Sequence, residues 1–162
     1  MASTTSKTTR SRVTDSEDGK FTAEEKAAMK ERAAEIKLEK STKGKGKGKA
    51  GKAAAEAQVC LDKIAELPEG DREIAEGIHA IATEKAGLAA KTWYGMPAYA
   101  KDGKIVCFFQ PADKFKARYA TLGFNDPAAL DEGDFWATSF AVMRWTPEVE
   151  KKVTELVTRA VG

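Results

Sequence analysis

Apolar side chains are spread unevenly along the chain. Val, Ile, Leu, Met, Phe, Trp, Tyr and Cys together number 6 in residues 1–57 and 34 in residues 58–162, which places the expected core in the second part. There a helical period runs through Ala57, Cys60, Leu61, Ile64 and Leu67, and Pro68-Glu69-Gly70 stops it, predicting a helix that starts near residue 53. A second stripe follows at Ile74, Ile78, Ile81 and Ala82, with Asp71 expected as its cap. The period then changes from near 3.6 to 2. Short strands are predicted at 91–94 and 98–101, interrupted by Gly95-Met96-Pro97. Asp102-Gly103 suits a two-residue type I′ turn, and the run KIVCFFQ at 104–110 is apolar enough for a strand covered on both faces. Further strands are expected at 117–122 and 136–143. Between them, Asp126-Pro127-Ala128-Ala129-Leu130 has the form of a one-turn helix with proline at its first position. Thr146 as cap, Pro147 after it, and Val149, Val153, Leu156, Val157 and Ala160 on one stripe define a terminal helix. Together these elements predict an α+β fold, a mainly antiparallel sheet of about five short strands with helices packed before and after it in two layers.

The first part divides differently. Residues 1–20 hold almost nothing to bury and are expected to form a disordered tail. Thr22 followed by Glu25 is a capping box opening a charged helix at 21–40. That helix has few large apolar residues, and Glu31, Glu35 and Glu39 repel one another at i,i+4 spacing, so alone it is marginal. Residues 41–52, STKGKGKGKAGK, read as a lysine- and glycine-rich linker and the domain boundary, leaving 53–162 as the folded domain.

Charge follows the same division. Lys plus Arg number 27 against 25 Asp plus Glu, but 14 of the cations and only 9 of the anions precede residue 58. A basic arm therefore precedes a mildly acidic globule. No window reaches the roughly 18 consecutive apolar residues of a membrane span, and MASTTSKTTRSR lacks the apolar stretch of a secretory signal, so the expected location is cytoplasmic. Cys60 and Cys107 stand outside any C-x-x-C pair, and His79 is the single histidine, which removes disulfide frameworks, zinc cages and most triads.

One stretch carries a resemblance. Lys91-Thr92-Trp93-Tyr94-Gly95-Met96-Pro97-Ala98-Tyr99, then Asp102-Gly103-Lys104 and an aromatic strand over 106–109, resembles the YdhG-like domain of unknown function, whose hallmark is a Tyr-Gly-Met-Pro-containing strand pair after a helix. The resemblance covers roughly residues 64–161. It implies a compact fold comparable with frataxin and, since one relative is regarded as an intracellular iron chaperone, iron or metabolite handling. It supplies no catalytic residue for this chain. Iron delivery would call for hard oxygen ligands on an open acidic surface.

Four groups of residues are candidates for chemistry. Trp93, Tyr94, Gly95, Met96, Pro97 and Tyr99 suit a ligand pocket, since glycine admits close approach and the rings offer stacking faces, but a bent core strand with the rings in the interior is the favoured reading. Lys114, Lys116 and Arg118 alternate along an expected strand at 114–119 and face one way, which fits an anion grip or a solvated sheet face. Asp126, Asp131, Glu132 and Asp134 are the densest acidic group, a set for a metal or simply loop charges, with no D-x-D-x-D-G loop beside them. Lys43, Lys45, Lys47, Lys49 and Lys52 offer phosphate contacts without any stacking ring. Cys60, Cys107 and His79 read as packing or boundary residues.

The expected function is therefore that of a small binding protein for a small ligand or another protein. Weak nonspecific nucleic-acid association through the linker is an alternative, and so is a small-molecule enzyme, although no acid, base and nucleophile set converges. The residues themselves predict no cofactor, and iron enters only through the resemblance.

Overall fold

The computed structural model describes residues 21–43 and 48–162; the tail expected at 1–20 and the middle of the linker, with Lys45 and Lys47, lie outside the described residues. The fold is α+β. Helices α1 (Ala23–Lys43), α2 (Lys49–Ala65) and α3 (Glu69–Ala80) precede strands β1 (Ala89–Trp93), β2 (Met96–Lys101), β3 (Lys104–Gln110), β4 (Ala120–Phe124) and β5 (Ser139–Val142), and α4 (Pro147–Val161) closes the chain. The strands form one open antiparallel sheet in sequence order, so each pairs with the next and no crossover is needed.

Strand register brings one set of side chains to the core face, although β2 is buried at every position from Met96 to Ala100. Ala90, Tyr99, Cys107, Phe109, Leu122 and Val142 are buried together with Cys60 and Ile64 of α2, Ile74 and Ile78 of α3, and Val153 and Val157 of α4. Burying one such aliphatic or aromatic side chain contributes about 1.5–3 kcal/mol, so this layer is what holds the body together. Thr146 accepts the Val149 amide at 3.2 Å and starts α4 as expected. Asp102 and Gly103 both have positive φ, the requirement of a type I′ turn.

Several boundaries differ from the sequence expectation. Helix α2 begins at Lys49, not near 53: alanine propensity over 53–57 and the Lys52–Glu56 pair at i,i+4 carry the helix through Gly51, so Lys49 and Lys52 are helical and not linker. Lys43 is the last residue of α1. Gly95-Met96-Pro97 does not interrupt a strand; the break is the two-residue turn Tyr94-Gly95, and Met96 and Pro97 already pair with Trp93 and Thr92. Residues 114–119 are not a strand. Lys116 has φ 51°, which breaks the pleat, so Lys114, Lys116 and Arg118 share no strand face. The expected helix at 126–130 is a turn, the last strand is shorter than 136–143, and a π-helical segment at Ile81–Lys85 continues α3. Asp71 is not the cap of α3, whose N-cap position is Pro68; its buried carboxylate accepts the Asp113 amide at 2.9 Å and ties the β3–β4 loop to α3. No helix of the described residues is long and apolar enough to cross a membrane.

Candidate functional site

At one end of the sheet the β1–β2 turn, the β3–β4 loop and α1 converge. The turn has φ 52° at Tyr94 and 72° at Gly95, which turns two successive N–H groups outward from the tip. Both amides donate to one carboxylate. Glu35 accepts the Gly95 N–H on Oε1 at 2.9 Å and the Tyr94 N–H on Oε2 at 3.2 Å. Its side chain is only 11% exposed, and Arg32 donates to the same Oε2 at 3.2 Å. Charge-assisted bonds of this kind to a screened carboxylate are the stronger class of hydrogen bond.

Two lysines flank the turn. Lys114 donates to the Tyr94 carbonyl at 3.0 Å and forms a short ion pair with Glu31. Lys91, on β1, donates to Glu39 at 3.2 Å. Burial pushes the Glu39 carboxyl up, yet the hydrogen bond and charge of Lys91, aided by Lys52 and Arg32, outweigh it and hold the group below the ordinary carboxylate value. Three glutamates one helical turn apart thus meet three separate partners. The stripe that reads as self-repulsion in sequence is a row of contacts in the structure. Helix α1 itself starts as predicted, with Thr22 N donating to Glu25 at 2.7 Å and Thr22 Oγ1 accepting the Glu25 amide at 3.1 Å.

The residues singled out from sequence divide between this site and the core. Gly95 and Tyr94 form the turn itself. Tyr94 is part-exposed, with Arg32 5.8 Å from its ring centroid, and Trp93 bridges Tyr94 and Phe108 through edge contacts at 5.2 Å each. Met96, Pro97 and Tyr99 are buried in β2. Tyr99 has no exposed surface; its hydroxyl lies 3.4 Å from His79 Nδ1. Burial raises the Tyr99 phenol well above its usual value and lowers His79, whose shift Glu84 partly opposes. Burial likewise pushes both thiols, Cys60 and Cys107, to about 12, where neither is a nucleophile near neutral pH. Arg118 is exposed and stands 5.4 Å over the Tyr119 ring, away from the turn's hydrogen bonds.

The other candidate groups are not assembled. Asp126 and Asp131 line a pocket of about 420 Å³ with Phe124 and Trp136, Glu132 lies 3.7 Å from Arg159, and Asp134 is exposed. Among the described residues no three His, Cys, Asp or Glu side chains come together as a metal site. Lys52 pairs with Glu56 at 3.7 Å. A groove of about 490 Å³ between α4 and the β4–β5 edge is lined by Leu122, Phe140, Val142, Val153 and Leu156. Its rim cations, Lys152 and Arg159, already face Glu148 and Glu132. We place the candidate site at the turn instead, because there, among the described residues, two backbone amides and Arg32 converge on one carboxylate.

Sequence reasoning reached Tyr94 and Gly95 but missed Glu31, Arg32, Glu35, Glu39 and Lys91, and it placed Lys114 on the wrong element. The available signal was the i, i+4, i+8 spacing of the glutamates, an anionic stripe that demands donors somewhere. What the assembly does chemically is hold three carboxylates, Glu35 on two backbone amides and Arg32, Glu31 on Lys114 and Glu39 on Lys91. No protein-family model, no curated protein and no solved structure matches this chain.

Proposed function

We propose that this chain is a binding protein whose recognition element is the Tyr94-Gly95 turn and whose ligand presents a carboxylate. The observation that carries the reading is the two-point grip of the turn amides on Glu35, at 2.9 and 3.2 Å, with Lys114 anchoring the turn from its carbonyl side. A turn that only joined two strands would leave those amides to water. The YdhG-like resemblance supports a binding role through the same Tyr94-Gly95-Met96-Pro97 stretch. Of the ligands it suggests, a carboxylate-bearing metabolite or protein suits this turn, whereas iron would need an oxygen-ligand set that the described residues do not gather.

The test uses the full-length chain carrying E31Q, E35Q and E39Q, which removes the internal carboxylates and keeps the helix. Sodium glutarate, added at constant ionic strength, should move the Tyr94 and Gly95 amide resonances saturably, and adding Lys114→Gln should suppress the effect. Resonances that stay put, or that drift equally with chloride, refute the reading.

A further inference from the structure

We infer that α1 is a tethered competitor, and that the partner for which this surface is built is an acidic helix of another protein with carboxylates at i, i+4 and i+8. The inference rests on the proposed carboxylate site and goes on to name its partner class. A small anion would satisfy only the turn amides. The described contacts are spread further: Glu31 on Lys114, Glu35 on Tyr94 and Gly95, Glu39 on Lys91. Eight residues of α-helix separate the first from the last, a span of about 12 Å, so the surface matches a helix face and not a point charge. Charge complementarity therefore selects an acidic helix.

Two further features make α1 an exchangeable occupant. First, it fits loosely. None of residues 21–40 is buried, Met29 and Ile36 are exposed, and an open void of about 170 Å³ remains beside Ala34 and Leu38, against Val59, Lys63 and Thr92. The recess is open to solvent at the seam between α1 and the sheet, so a helix with a larger side chain at the Ala34 position would have room to fill it. Second, α1 and the turn belong to one chain, so the docked contact is intramolecular and any other ligand must displace it. That contact excludes weak ligands and yields to a helix that grips the same three points and fills the void.

The probe is a fluorescent peptide with the sequence of residues 23–43, titrated into three full-length chains: wild type, E31Q/E35Q/E39Q, and the latter with K91Q and K114Q. The triple variant should bind the peptide at least about tenfold more tightly than wild type, and the quintuple variant should return to the wild-type level. A peptide with Glu31, Glu35 and Glu39 changed to glutamine should not bind. Equal binding by wild type and triple variant overturns the competition. If glutarate still moves the Tyr94 and Gly95 amides in that case, the carboxylate site stands and only the helix partner falls; if it does not, both fall. Should the triple variant lose its dispersed β3 resonances, the wild-type background decides. A nitroxide at Lys37→Cys broadens the Tyr94 amide while α1 is docked, and excess peptide should restore that signal; persistent broadening overturns the inference.

Discussion

The body and α1 are held by different physics. In the body, Tyr99, Phe109, Ile78, Leu122 and Val157 have no exposed surface and the strands form one antiparallel sheet with a register shift at Tyr99/Ala100. In α1 not one of residues 21–40 is buried, and attachment runs through glutamates meeting amides and lysines. Apolar burial is non-directional and indifferent to moderate salt. Carboxylate contacts are directional, screened by salt and removed by protonation. One element of the chain is therefore separable from the rest by conditions that leave the core intact.

The largest effect expected from breaking this contrast is in the core. Phe109→Ala should lower the body's unfolding free energy by about 3–5 kcal/mol, read from the urea midpoint, because it empties a fully buried ring site. A loss under about 1 kcal/mol would place the core elsewhere. Next, Glu35→Gln should weaken α1 docking by about 1.5–3 kcal/mol, the range for hydrogen bonds to a charged group, while the urea midpoint of the body stays fixed. Amide exchange over α1 and over β3 reports the two separately, and parallel losses would erase the distinction.

Gly95→Ala ranks third. A side chain at φ 72° costs about 1–2 kcal/mol, and its Cβ would also overlap the Glu31 carboxylate, so both the turn and the docking of α1 should suffer. A variant with α1 still docked and an unchanged midpoint would contradict the geometry. The pH dependence should be smaller and one-sided. Because Glu39 is held below its ordinary value when docked, its contribution is complete above the unfolded carboxylate value and disappears as pH falls through the lower docked value. Acid should thus release α1, seen as lower protection factors over 31–39, and release on raising the pH would reverse the sign. The smallest effect sharpens the comparison. Ala34→Leu, placed beside the open void, should strengthen docking by up to about 1 kcal/mol; a weakening would mean the space is not available to a side chain.

Where periodicity carried the signal, the sequence was legible. The stripes of α2, α3 and α4, the Asp102-Gly103 turn and the apolar run of β3 are each local patterns, and they lead to the observed α+β arrangement. What escaped was set by tertiary contact. Residues 114–119 alternate like a strand, but Asp71 anchors the Asp113 amide and Lys116 takes positive φ, so the loop folds toward the turn and carries Lys114 with it. Met96 and Pro97 looked like loop punctuation and are buried strand residues, with Pro97 ahead of the point where β2 begins to pair with β3. The site was half legible. Tyr94 and Gly95 stand out by type, whereas the meaning of Glu31, Glu35 and Glu39 depends on donors 52 to 83 positions away that no local pattern reveals.

Hydrogen–deuterium exchange on full-length wild type and on E31Q/E35Q/E39Q compares both regions in one experiment. The account predicts that amides 24–40 lose their protection in the variant while β3 at Lys104–Gln110 exchanges as in wild type, and that 0.5 M salt acts on the wild type in the same direction. Equal protection of α1 in both proteins, or joint loss across α1 and β3, would contradict it.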